Sequence, residues 1–150
     1  MPPPEPRKLR VFVAEDDRGV LDLILTRLEL AGYETAYGRD GREALHRLAA
    51  YRPNAVILDI NMPNLDGFGV LEALRRMTPA FNAPVMVLTA RHAPGDVQRA
   101  LKLGAKDLLA KPFEGPQLLA RVARLVRPKP TIAPSNIPPA EAVSDFEILI

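Results

Sequence analysis

The chain has 150 residues, 47% of them hydrophobic, with no cysteine and 20 Lys/Arg against 18 Asp/Glu, a formal charge of +2. That length suits one domain able to bury about 68–70% of the surface its unfolded form exposes. The missing cysteines exclude a disulfide framework and a thiolate metal site and fit a reducing, cytoplasmic setting, and the near-balanced charge argues against a nucleic-acid-binding arm.

No apolar run approaches the length of a membrane span, and residues 11–14 are too few for a signal-peptide core. Of the 16 prolines, four fall in residues 2–6 and five in 128–139. The expected organisation is therefore a flexible N-terminus (1–7), a folded domain (8–127) and a proline-rich linker or tail (128–150).

The first predicted strand covers residues 9–14 and stops at Glu15, Asp16 and Asp17. A helix follows with Val20, Leu21, Ile24, Leu25, Leu28 and Ala31 at helical spacing, closed by Gly32, and Asp17 reads as its N-cap. Residues 33–37 alternate as a short strand. Asp40 caps a second helix carrying Ala44, Leu45, Leu48 and Ala49, and Pro53 ends that unit.

Residues 55–58, Ala-Val-Ile-Leu, read as a strand buried on both faces, with Asp59 at its C-terminal end. Asp66 and Gly67 start the next helix, whose apolar face holds Phe68, Val70, Leu71, Leu74 and Met77 and which stops near Pro79. A fourth strand (84–89) ends at Thr89. A weaker helix (94–103) carries Val97, Ala100 and Leu101 and is closed by Gly104. A fifth strand (107–110) runs into Lys111, Pro112 and Phe113, and a last helix (115–126) buries Leu118, Leu119, Val122 and Leu125. Strands alternating with helices at these loop lengths predict an α/β, doubly wound parallel sheet, whose strand order periodicity leaves open.

An open α/β sheet keeps its chemistry outside the carboxyl ends of its strands. Those ends carry Glu15, Asp16, Asp59, Thr89 and Lys111. Converging carboxylates repel by about 4 kcal/mol per pair at 4 Å and an effective dielectric of 20, so the cluster calls for a cation. Oxygen ligands with no His or Cys nearby favour Mg²⁺. With the metal in place an Asp oxygen can attack phosphorus, while Lys111 offsets charge on the phosphoryl oxygens and Thr89 donates to one. His46 and His92 have no spaced partner and read as solvated.

The segments AEDD, LDINMPNLDG, LTAR and AKPF, in that order over residues 8–127, resemble the receiver domains of two-component response regulators. The resemblance implies a flavodoxin-like five-stranded sheet of order 2-1-3-4-5. It also implies that Asp59 accepts phosphate from a sensor histidine kinase or phosphotransfer protein. By the same match Asp16, Asp59 and the backbone carbonyl of Asn61 bind Mg²⁺, with Glu15 acting largely through water. Thr89 and Lys111 contact the phosphoryl group, Asn61 and Arg91 tune its hydrolysis, and a cis peptide precedes Pro112. Such a protein is a phosphoacceptor switch rather than a turnover enzyme.

Two departures follow from the match. Receivers commonly carry Tyr or Phe three residues before the Lys as a switch partner of the Thr; this chain has Leu108. On the face built by the fourth helix, fifth strand and last helix, Asp107 and Arg121 match the pattern that pairs two receivers of winged-helix regulators, whereas Lys106 and Gln117 replace acidic residues. A homodimer through that face is expected, with no membrane contact, and DNA contact only through an output domain beyond these residues.

The last five residues, 146–150, are apolar enough for a strand, and an isolated strand of that kind must pair. They resemble the opening strand of a winged-helix DNA-binding domain, or they form a tail that packs on its own domain or a neighbour. Two other functions compete. A Mg²⁺-dependent aspartyl-nucleophile phosphatase of the haloacid-dehalogenase type needs a second acid two residues after the nucleophile, where Asn61 stands. A flavin- or nucleotide-binding domain wants a glycine-rich loop where Glu15, Asp16 and Asp17 stand.

Overall fold

Five strands, β1 (Arg10–Ala14), β2 (Glu34–Gly38), β3 (Ala55–Asp59), β4 (Val85–Thr89) and β5 (Asp107–Ala110), alternate with helices α1 (Arg18–Leu30), α2 (Gly41–Tyr51), α3 (Gly67–Arg75), α4 (Pro94–Lys102) and α5 (Gly115–Leu125). This computed structural model describes residues 2–4, 7–77, 80–90 and 94–127. Pro79, Arg91, His92 and the 128–150 segment lie outside the described residues.

All strand pairings are parallel and the order is β2-β1-β3-β4-β5. Period-two alternation within each strand feeds two cores. Phe12, Ala14, Val56, Leu58, Val85 and Val87 pack with Leu48 of α2 and with Leu71 and Leu74 of α3. Val11, Val13, Ile57, Met86, Leu88 and Leu109 pack with Leu21, Ile24 and Leu28 of α1 and with Leu118 and Val122 of α5. The chain reverses its winding between β1 and β3, so the crevice at their carboxyl ends is where an open sheet of this kind holds a ligand.

The caps follow the sequence. Asp17, Asp40 and Asp66 accept from the N–H of Val20, Glu43 and Gly69 at 2.9, 2.8 and 2.9 Å. These bonds satisfy helix-end donors that have no partner within the helix. Gly32 and Gly104, with φ of 97° and 102°, close α1 and α4 in the left-handed region that glycine favours.

Some expected core positions are corrected. Leu101 is 50% exposed, and Ala31 and Ala49 also face solvent. Met77 packs on the core as expected but lies past the end of α3, where Arg76 and Met77 donate back to Ala73 and Leu74 in a tightened last turn. β2 starts one residue later than the sequence suggests, at Glu34.

Candidate functional site

Register delivers the acids to one place. Ala14 pairs with Leu58, which sets Glu15 level with Asp59. Asp59 pairs with Leu88 and Thr89 with Ala110, so Thr89 and Lys111 follow at the next two strand ends. The Lys111 N–H donates to the Thr89 carbonyl at 2.9 Å, tying those two residues through the main chain. The peptide before Pro112 is cis.

Carboxylate oxygens of Glu15, Asp16 and Asp59 all lie within 4.8 Å of one another. Glu15 is fully buried and Asp59 and Thr89 nearly so, whereas Asp16 is the most exposed of the three acids. Lys111 Nζ donates to both Glu15 oxygens at 2.9 Å and stands 3.4 Å from Asp59 Oδ2. The Asn61 N–H donates to Asp59 Oδ1 at 3.2 Å, and the Asp17 N–H to Glu15 Oε1 at 3.3 Å.

These surroundings shift the charges. Burial pushes Glu15 up to about 7, against the pull of the Lys111 hydrogen bond and with the Asp59 charge adding to the rise. Burial also raises Asp59, opposed by the Lys111 charge and the Asn61 amide. Burial by itself would lower Lys111, but the Glu15 hydrogen bond and the charges of Asp59 and Glu15 outweigh it and hold the ammonium above its usual range. The donors are hard oxygens with one acid open to solvent, a set that suits a divalent cation of the Mg²⁺ type.

The strand-end residues singled out in the sequence converge here, and Lys111 and Glu15 also bond each other. Leu108 is half-buried against the core shared by β3 and α3. Asp107 and Arg121 are joined within the chain at 2.6 Å, with a further 3.3 Å bond from Arg121 to the Leu108 carbonyl. His46 is exposed, as expected.

The sequence reading passed over two supports of the site. A Cβ on Gly67 would stand 2.6 Å from the carbonyl oxygen of Asp59 itself. Asn64, with φ of 68°, donates to Asp40 Oδ2 at 3.1 Å, joining the loop after β3 to the start of α2. Only the Asn-Leu-Asp-Gly run hinted at a tight turn.

The response regulator receiver domain model matches residues 11–123. Transcriptional regulatory protein PrrA of Mycobacterium tuberculosis is 45% identical over 127 residues, covering 85% of this chain and 54% of that protein. Response regulator MprA of Mycolicibacterium vanbaalenii is 42% identical over 119 residues, covering 79% and 51%. The chain thus spans about half the length of these curated relatives.

Among solved structures, the chemotaxis response regulator CheY4 of Vibrio cholerae superposes with a TM-score of 0.75 at 31% identity, covering 79% of this chain and 99% of that one. The receiver domain of a sensor histidine kinase from Pseudomonas aeruginosa, with a magnesium ion coordinated in its active site cleft, gives 0.73 at 28% identity, covering 80% and 98%.

Proposed function

The chain belongs to the family of response regulator receiver domains, and on that premise we propose that it is a phosphorylation-dependent switch with Asp59 as the phosphoacceptor. The observation that carries the proposal is the pairing of three clustered carboxylates with one ammonium at the switch point of the sheet.

An Asp59 carboxylate oxygen attacks phosphorus, and the bond from phosphorus to the donor's imidazole nitrogen breaks. The bonding electron pair leaves with the imidazole, which takes up a proton, and an aspartyl phosphate remains. Glu15, Asp16, Asp59 and the Asn61 main-chain carbonyl would hold Mg²⁺, which when bound offsets charge on the phosphoryl oxygens. Lys111 lies close enough to Asp59 to exchange part of its contact with Glu15 for a phosphoryl oxygen. Thr89 supplies a hydroxyl from the adjoining strand end, and by the family resemblance Asn61 and Arg91 would tune attack of water on the phosphoaspartate.

The donor is a sensor histidine kinase or a phosphotransfer protein, and the protein acts in the cytoplasm. The readout is a changed partner face on α4, β5 and α5, where a homodimer would form beside Asp107 and Arg121. By analogy with the relatives named as transcriptional regulators, this unit would serve as the N-terminal part of such a regulator. DNA would then be contacted by the remainder. No described helix is long and apolar enough to cross a membrane. The phosphatase reading gains nothing from the structure, since the residue two beyond Asp59 is the amide Asn61.

Incubation with acetyl phosphate and Mg²⁺, then intact mass and a borohydride trap, tests the proposal. One phosphate on Asp59 is expected, absent in Asp59→Asn and strongly reduced without metal. Release of many phosphates per chain with no adduct would overturn it in favour of a phosphatase.

A further inference from the structure

We propose that Asp40 and Asn64 form a latch between the start of α2 and the loop after β3, and that this latch sets Mg²⁺ affinity and the lifetime of phosphate on Asp59. The proposal rests on the site reading above, because the loop in question carries Asn61.

The two carboxylate oxygens of Asp40 have different partners. Oδ1 accepts from the Glu43 N–H at 2.8 Å and caps α2, while Oδ2 accepts from Asn64 Nδ2 at 3.1 Å. Asn64 is held at φ 68°, a conformation that asparagine tolerates better than most side chains. The next residues in each segment also meet. A Cβ on Gly41 would overlap the Leu65 carbonyl oxygen and stand 2.7 Å from Leu65 Cβ, so the helix start can abut the loop only because position 41 is glycine.

At its base the loop is closed by the Gly67 N–H donating to the Ile60 carbonyl at 2.7 Å, and by the close approach of Gly67 to Asp59. Residues 60–66 are thus pinned at the base by β3 and at the tip by α2, with Asn61 in the pinned span. The turn that supplies Asp40 also sends Arg39 Nη2 to the Asp16 carbonyl at 3.5 Å. One short connection therefore braces both acid-bearing loops. Asp40 and Asn64 do not reach the reacting atoms, so they are positioning residues. A freed tip would let the Asn61 carbonyl and amide wander relative to Asp59.

Two variants separate this role from helix capping. Asn64→Gly keeps the positive φ and removes the amide; Asp40→Ser keeps a capping oxygen and loses the second one. Each is expected to weaken Mg²⁺ binding about three- to tenfold, the range of one lost hydrogen bond, and to change the phosphate half-life by a similar factor. In metal-free protein, hydrogen exchange at residues 61–67 should speed up while the sheet amides hold. The double variant should match either single, since both remove the same contact.

Exchange and Mg²⁺ affinity within a factor of about two of wild type in both variants would overturn the latch. A wild-type protein that takes neither Mg²⁺ nor phosphate would overturn the site reading instead, and metal-free exchange would still decide whether the latch exists.

Discussion

Lys111 Nζ bonds both carboxylate oxygens of Glu15 at 2.9 Å, a contact nearer than its 3.4 Å approach to Asp59. The ammonium is thus a structural counter-ion. Glu15 is fully buried, and its ion-pair partner is contributed by the far end of the sheet.

Removing that counter-ion should be costly. Lys111→Met is expected to lower the unfolding free energy of metal-free protein by about 3 kcal/mol, the low end for breaking a buried pair. Urea denaturation measures it. Mg²⁺ should recover part of the loss, and a cost below about 0.5 kcal/mol would show the pair to be solvated.

The pH dependence has a definite sign. Glu15 ionises near 4.5 when unfolded and near 7 when folded, so the native state binds more protons between those values. Stability of metal-free protein should be highest below pH 4.5 for this group and should fall as pH rises through 7. The raised Lys111 keeps its charge throughout that window. Denaturation curves from pH 5 to 7.5 should show the decline, and saturating Mg²⁺ should flatten it.

Asp59→Asn should abolish phosphate uptake and yet raise the melting temperature of metal-free protein. Burial lifts the Asp59 carboxyl, so its charge is unfavourable in the fold, and a neutral amide relieves that strain. A lower melting temperature would mean that the Lys111 contact outweighs burial.

Two glycines should respond in opposite directions to alanine. Gly67→Ala drives a Cβ to 2.6 Å from the Asp59 carbonyl oxygen and 2.7 Å from Ile60 Cα, both main chain. A loss of about 1–3 kcal/mol is expected, together with slower phosphate uptake. At Gly95, on α4, an added methyl would meet nothing within 4 Å, and Gly95→Ala should gain about 0.5 kcal/mol. Thermal melts of the two variants check both signs.

Leu108 stands half-buried where an aromatic ring is usual, and it has no hydroxyl to re-bond. Phosphorylation should proceed, with a smaller rearrangement of α4, β5 and α5. Amide chemical shifts with and without beryllofluoride report this, and large changes around Leu108 would refute it. The Asp107–Arg121 bond at 2.6 Å should persist in both states.

The sequence by itself determined the alternation of strands and helices, the caps at Asp17, Asp40 and Asp66, and the polar groups at the strand ends. Each of these depends on residues within a turn or two of one another, where local hydrogen bonding and apolar periodicity decide. The strand order that sets Glu15 beside Asp59 is the one the family motifs imply, though periodicity leaves it open, whereas the tertiary structure decided the Glu15–Lys111 pair across 96 positions and the Asp40–Asn64 bond across 24. It also turned Leu101 outward. Those outcomes hinge on which faces of distant elements are buried together, and a buried carboxylate takes whichever counter-charge the packing brings within reach.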